Sequence, residues 1–311
     1  MRPKDSQRIN FLYEQLVNYA EKVRPLPGIY NSDNRRSLVE QIIESERRVK
    51  YISVIKSRGI AAFYADTRNS YFDPYKASIV HQNIGDVEEA FWLIFIATHF
   101  GKNKRHGWSY ARAVYGALNS DSIWNWDKIK NNVAVFKEWL KEKSTKIESL
   151  GGGFGNHRKY ESLTSQTENG SGAVIESYVN WVSEFDTHVN LFSTAIKHSN
   201  GNEYEAFNHI YKLMGKVKRF GRTAKFDYLT MIGKMKLAAI KPGSPFLQGA
   251  TGPLTGAKTL FLNSTEVKIR TVHLEEYVKE LGNYLRVGMQ EMEDSLCNWQ
   301  KSPSKFKPFR G

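Results

Sequence analysis

The sequence predicts an all-α protein. Apolar residues recur at three- and four-residue spacing along most of the chain. No segment alternates apolar and polar residues over the length of a strand, and no Asn-Gly turn joins two alternating runs. In the first segment Phe11, Leu12, Leu16 and Tyr19 recur at helical spacing. From Asn34 to Ser57 the apolar positions Leu38, Ile42, Ile43, Val49, Ile52 and Ile55 alternate with charged residues, an amphipathic helix. Asp73-Pro74 reads as an N-cap with proline at the first helical position. Asp86 with Glu89 three residues on forms a capping box opening a helix that runs to Phe100, and Gly101 stops it. Further helices are predicted over Val133–Lys143, Ala173–Leu191, Tyr204–Met214, Thr223–Leu237 and Leu274–Asn298. Breaks are predicted at Gly151–Gly155, Thr164–Gly172 and Ile240–Gly256, with Asn169-Gly170 and Asn200-Gly201 as loop tips.

Composition bounds the function classes. Of 311 residues, 41% are hydrophobic and 13% aromatic, enough for a sizeable core and too apolar for an intrinsically disordered chain. The expected organisation is one all-α body over 1–311, or two helical lobes of it. It has N-terminal helices in 1–60, a helix-hairpin-helix element in 204–240, and a C-terminal helix and basic tail in 274–311. The one cysteine, Cys297, excludes an intramolecular disulfide and a Cys-rich zinc or iron–sulfur centre, and it fits a reducing cytoplasm. The longest apolar run, Ala90–Phe100, is too short to span a bilayer, and mean hydropathy is −0.51. The N-terminal MRPKDSQRIN lacks the apolar stretch of a secretory signal. A cytoplasmic protein without a membrane partner is expected. No metal is expected either, because the eight histidines show no H-E-x-x-H spacing, and His99 at the end of an apolar helix reads as a packing residue.

The net charge of +13 is unevenly placed. Lys212–Lys241 holds nine Lys or Arg residues and one acid, Asp227, a net +8. The tail adds Lys301, Lys305, Lys307 and Arg310 with no acid after Asp294, whereas Gly151–Asn200 is slightly acidic. A concentrated positive field attracts polyanions, of which nucleic acid is the commonest. Within the basic segment, a helix, a glycine-bounded turn at Gly215–Gly221 and a second helix form a helix-hairpin-helix pattern. Its turn amides and second helix N-terminus would face a DNA phosphate. Gly221 permits close backbone approach. Lys216, Lys218, Arg219, Arg222 and Lys225 supply charge. The same residues also fit an ordinary αα-hairpin, because Val217-Lys218-Arg219-Phe220-Gly221 departs from the usual L-P-G-V-G.

Three further constellations stand out. GGGFGNHRKY (Gly151–Tyr160) is glycine-rich but lacks G-K-[ST]. It reads as a connector, or as a loop bringing His157, Arg158 and Lys159 to a phosphate or pocket. Tyr64, Asp66, Arg68, Tyr71, Phe72 and Tyr75 form an aromatic cluster around an Asp–Arg pair, either a core edge with a salt bridge or a slot for a flat base. In the last helix Asp294, Cys297, Asn298 and Lys301 share one face, a stripe that is costly to bury unless paired or used.

Five blocks together resemble one family: EEAFWLIFIATHFGKN (Glu88–Asn103), FGNHRKYESL (Phe154–Leu163), KRFGRTAKFDYL (Lys218–Leu229), LQGATGPLTGAKTLF (Leu247–Phe261), and EDSLCNWQKSP with the terminal FRG. They are similar to the alpha-glutamyl/putrescinyl thymine pyrophosphorylase family, a divergent branch of the helix-hairpin-helix DNA glycosylase superfamily. Its members also resemble anti-phage glycosylases that excise bulky modified bases. The resemblance implies a glycosylase-like all-α fold and a double-stranded DNA partner, modified phage DNA in particular. It implies base flipping and cleavage of an N-glycosidic bond to leave an abasic site, without a cofactor. It gives no indication of a protein partner. A transferase displacing pyrophosphate from an activated hydroxymethyl pyrimidine is the alternative, and a non-catalytic DNA-binding module is a third. The superfamily's catalytic Asp has no counterpart here, because Tyr228–Thr265 contains no Asp or Glu. Thr223 stands where lyase relatives carry a Schiff-base lysine, so a monofunctional enzyme is expected. The candidate carboxylates are therefore Asp294, Asp66 and Asp227, and the candidate base-pocket residues are Asn298, Gln300, Tyr71 and Phe72.

Overall fold

The computed structural model describes residues 5–309; the N-terminal MRPK and the terminal Arg310 and Gly311, including the tail's last cation, lie outside the described residues. The described residues are all-α, with fourteen α-helices, no strand, and one isolated bridge between Asn103 and Gly107. In chain order the helices are α1 (Ser6–Lys22), α2 (Ser32–Ser57), α3 (Pro74–Asn83), α4 (Val87–Phe100), α5 (Ser109–Tyr115), α6 (Trp126–Asn131) and α7 (Val133–Ser149). They continue as α8 (Ser171–Ser183), α9 (His188–His198), α10 (Glu203–Leu213), α11 (Arg222–Lys234), α12 (Gly252–Leu262), α13 (Thr271–Leu285) and α14 (Met289–Trp299). No described helix is long and apolar enough to cross a membrane. The helices fall into two units, one built from residues up to Val54 together with those from Pro242 onward, the other from Ile55–Lys241.

In the first unit, α1, the start of α2 and α12–α14 enclose Leu12, Leu16, Ile42, Leu260, Leu281, Leu296 and Trp299. Each such side chain contributes roughly 1.5–3 kcal/mol on burial. The glycines of LQGATGPLTGAKTLF serve close helix packing. A Cβ on Gly252 would stand 2.6 Å from Cys297 Sγ, and one on Gly256 would strike the Leu296 carbonyl. The four-residue spacing puts both glycines on the side of α12 that meets α14.

In the Ile55–Lys241 unit, α4 is the central element. Every residue from Glu89 to Phe100 is buried, and α3, α5, α6, α9 and α11 pack around it. A helix that is apolar on all sides is stable only when surrounded in this way. Asp86 caps it, with Oδ1 accepting from Glu89 N at 3.3 Å. Only half of the expected capping box forms. The Glu89 side chain turns into the core instead, where it accepts from Tyr115 Oη and from Trp126 N, both at 2.6 Å.

Burial pushes the Glu89 carboxyl up from 4.5 to about 7 despite those two donors. Because the folded-state value lies above the unfolded one, the stabilisation is complete below about pH 4.5. It is lost as pH rises to about 7, where the folded chain must ionise a buried group, at a cost of about 3 kcal/mol. Glu89→Gln keeps one acceptor for Trp126 and one donor toward Tyr115. Its unfolding free energy in urea is expected to be flatter between pH 5 and pH 8 than that of the parent. An unchanged slope would remove Glu89 as the source.

Two predicted helices divide. Ala173–Leu191 becomes α8 and α9, because Asp186 adopts φ +69° and Thr187 Oγ1 caps Asn190 N at 3.0 Å. Leu274–Asn298 becomes α13 and α14, because Arg286 ends α13 at φ +54° and Val287 N bonds back to Gly282 O at 2.8 Å. The predicted break at Ile240–Gly256 closes earlier, since α12 starts at Gly252 with Pro253 in its first turn.

Candidate nucleic-acid interface

The basic segment forms α10, a turn, and α11. Val217 and Phe220 are buried anchors, whereas Lys216, Lys218, Arg219 and Gly221 are exposed. Phe220 stacks on Phe95 of α4 at 5.0 Å between ring centroids. Arg219 adopts φ +59°, a conformation costing a non-glycine residue roughly 1–2 kcal/mol. Gly215 and Gly221 have no such need. Neither has a positive φ, and a Cβ on either would meet open space. No side chain caps the N-terminus of α11. The turn is thus an open backbone surface at a helix N-terminus, with room for a polyanion to approach.

The charges around it are partly neutralised. Lys216 pairs with Glu184 at 2.6 Å, Arg219 with Glu161 at 3.2 Å, and Lys241 with Glu203 at 2.9 Å. The Arg222 guanidinium lies 4.6 Å over Phe226. Lys225 lies 4.2 Å over Tyr211, and partial burial lowers its pKa.

The glycine-rich loop is tightly packed. Gly155 N donates to Phe100 O at 2.7 Å, and a Cβ on Gly155 would stand 2.8 Å from Gly101. The loop's task is to place Arg158, which is 7% exposed. The Arg158 guanidinium donates to His99 O at 3.2 Å and to Arg219 O at 3.1 Å, lies 3.4 Å from His99 Nδ1, and faces Glu161 at 3.7 Å. It therefore ties the hairpin turn to the end of α4. Burial first, and then the Arg158 charge, hold His99 well below its ordinary range, so the ring is neutral. With Nδ1 facing a guanidinium donor, His99 Nε2–H donates to Ser171 Oγ at 2.9 Å.

Asp227 lies on α11, half exposed, with His157 Nδ1 at 3.6 Å. Nearby is the phenol of the half-buried Tyr75. Burial first, then the charges of Asp227 and Asp73, push it above its ordinary range. Tyr75 packs edge-on against Trp108 at 5.4 Å. Trp108 lines a cleft of about 410 Å³ together with Tyr64, Tyr71, Phe72, Asp73 and Arg112. Tyr75 thus lies against the wall of the aromatic cleft, within electrostatic reach of Asp227. Asp73 also caps α3, both cap bonds (3.0 Å and 3.2 Å) falling on Oδ1.

The candidates predicted from sequence separate between the units. Asp227, Tyr71, Phe72, Asp66 and the hairpin residues belong to Ile55–Lys241. Asp66 is an exposed turn residue whose Oδ1 accepts from Arg68 N at 3.0 Å and Arg68 Nε at 3.1 Å, and these bonds lower its pKa. Asp294, Asn298 and Gln300 belong to the other unit. There Asp294 pairs with Arg48 and accepts from Ser45 Oγ at 2.7 Å and from Asn298 Nδ2 at 3.0 Å. Asn298 Oδ1 accepts from Lys301 at 3.0 Å, and Gln300 Nε2 donates to Cys297 O at 3.3 Å. The polar stripe of α14 is paired, in part with Ser45 and Arg48 of α2, which removes the cost of placing it there.

Sequence reading passed over Asp73, Trp108 and Arg112. In the sequence Asp73 has a sufficient reason in its cap, and the other two lie in a segment with no familiar spacing. The usable signal was the basic run Lys102-Asn103-Lys104-Arg105-His106 directly behind an apolar helix.

No curated protein and no solved structure matches this chain. A family model does, that of the alpha-glutamyl/putrescinyl thymine pyrophosphorylases, clade 3, over residues 33–311. The match takes in the hairpin, the glycine-rich loop, the cleft and most of both units, and the chain belongs to that family.

Proposed function

We propose that this protein is a DNA glycosylase that excises a modified pyrimidine from double-stranded DNA. The observation that carries the reading is the α10–α11 hairpin. It has two glycines that the fold does not require, an uncapped helix N-terminus, and exposed Lys216, Lys218 and Arg219 around it. The family's description names a thymine derivative, which makes a pyrimidine in DNA the fitting substrate class. In this reading the hairpin holds backbone phosphates, and the target nucleotide turns out into the aromatic cleft. Asp227 stabilises the oxocarbenium character of the sugar and orients water, with His157 beside it. No cofactor is required. Excision of bases found in phage DNA would serve defence against phage.

The test is incubation of the full chain with duplexes carrying hydroxymethylated, glucosylated or unmodified pyrimidines, followed by alkaline cleavage. Abasic sites are expected on at least one modified duplex and not on the unmodified one. Absence of abasic sites on all of them would refute excision. Borohydride is not expected to trap the protein on DNA, since Thr223 occupies the lyase position.

A second reading rests on the lack of any acid from Tyr228 to Thr265 and on the word pyrophosphorylase in the family's description. In it, the protein replaces pyrophosphate on an activated base with an amine. Pyrophosphate release with the base retained in DNA would favour it.

A further inference from the structure

We infer that the cleft between α3 and α5 is a binding site for an aromatic ring that carries an anionic group within the same nucleotide. The inference rests on reading this cleft as the place that receives the base. What assigns it is the location of the cations that have no carboxylate. At the hairpin turn, Lys216 and Arg219 each have a carboxylate partner, and Lys218 alone of the exposed cations there has none among the described residues. At the cleft, Lys76, Lys102 and Arg112 have none among the described residues. The Lys76 ammonium lies 3.5 Å over the Tyr64 ring, Lys102 lies 6.0 Å from Trp108, and Arg112 reaches only the Asn69 carbonyl at 3.5 Å. The one carboxylate in the lining is Asp73, whose Oδ1 caps α3, so the three cations share the lining with a single negative charge.

A second observation points the same way. Trp108 Nε1, on a residue of the lining, is buried and has no hydrogen-bond partner among the described residues, whereas the unpartnered Ser109 Oγ packs toward Gly152. A buried donor left unmade costs about 1–3 kcal/mol, and a ligand rich in acceptors would remove that cost. The rim is also built in advance. Asn103 and Gly107 exchange backbone hydrogen bonds of 2.8 Å and 3.0 Å, and Asn103 Oδ1 accepts from Arg105 N and His106 N. That turn carries Lys104, Arg105 and His106 beside Lys102. Faces of Tyr64, Tyr71, Phe72 and Trp108 suit a flat ring, and about 410 Å³ is adequate for a nucleotide. A ring bearing an amine would meet like charge.

The anion has two possible sources, a substituent on the base or the nucleotide's own phosphate. Titration calorimetry of the full chain separates them with thymidine, 5-carboxy-2′-deoxyuridine, thymidine 5′-monophosphate and 5-aminomethyl-2′-deoxyuridine. At least one of the two anionic ligands is expected to bind about tenfold or more tightly than thymidine, and the tighter of the two identifies the source. The aminomethyl nucleoside is expected to bind most weakly. Lys76→Gln with Lys102→Gln, neither of them in an ion pair among the described residues, should reduce the preference by about fivefold or more with little shift in the thermal midpoint. The inference is overturned if neither anionic ligand binds better than thymidine, if the amine binds best, or if the double variant keeps the full preference. Because free nucleosides are the probes, absence of excision on duplex DNA would leave this result standing by itself.

Discussion

Arg158→Met is expected to lower the unfolding free energy of the Ile55–Lys241 unit by about 3–5 kcal/mol, the range seen when one partner of a buried ion pair is removed. Methionine fills most of the volume, so the loss is electrostatic and one of hydrogen bonding. The carbonyls of His99 and Arg219 lose their donor, and Glu161, 7% exposed, keeps only the exposed Arg219 as its counter-charge. Arg219 sits at φ +59° and depends on these contacts to remain there. Duplex DNA affinity should fall together with stability, since the turn that presents α11 is no longer fixed to α4. Arg158→Lys should recover less than half of the loss, because a single ammonium cannot reach both carbonyls and Glu161 in the planar geometry of a guanidinium. Urea denaturation and salt-dependent DNA binding measure both effects. A stable Met variant that binds DNA like the parent would mean that the loop does not hold the hairpin.

How far these features were legible in the sequence depends on the range of the interactions behind them. The hairpin was legible because its signals are local: a periodic run, glycines at 215 and 221, and a second periodic run. The fully buried α4 was legible for the same reason. The role of Arg158 was not, since an arginine in a glycine-rich loop reads as a ligand for phosphate until the fold brings Arg219 O within 3.1 Å. The glycines of α12 suggested a break because their reason, the approach of α14, lies forty residues away in the chain (roughly). The breaks inside the two long predicted helices were hidden because Asp186 and Arg286, not glycines, take the left-handed conformation. Asp294 was the first-named candidate carboxylate on the strength of a polar stripe. Whether that stripe was a site or a paired network rested on Ser45 and Arg48, which no spacing rule connects to it.

Asp227→Asn is expected to reduce single-turnover excision by about 10²–10³-fold or more while leaving the fold intact. The substitution is isosteric. Asp227 and its partner His157 have side chains 46% and 55% exposed, so the pair contributes at most about 1 kcal/mol to stability. A charge that does little for the fold, on the helix that follows the hairpin turn, is the one the proposed excision would use. Asp294→Asn should behave in the opposite way. It leaves Arg48 without its counter-charge, where Arg48 also lies 4.4 Å over Phe309, and weakens the bonds from Ser45 and Asn298. A loss of about 1–3 kcal/mol is expected, with excision per folded molecule unchanged. The two variants thus separate along different axes, rate for Asp227 and melting for Asp294. A reversed result, with Asp294→Asn inactive at an unchanged melting point, would move the chemistry to α14. Full activity in both variants would remove the carboxylate-assisted mechanism, and pyrophosphate release would become the decisive measurement.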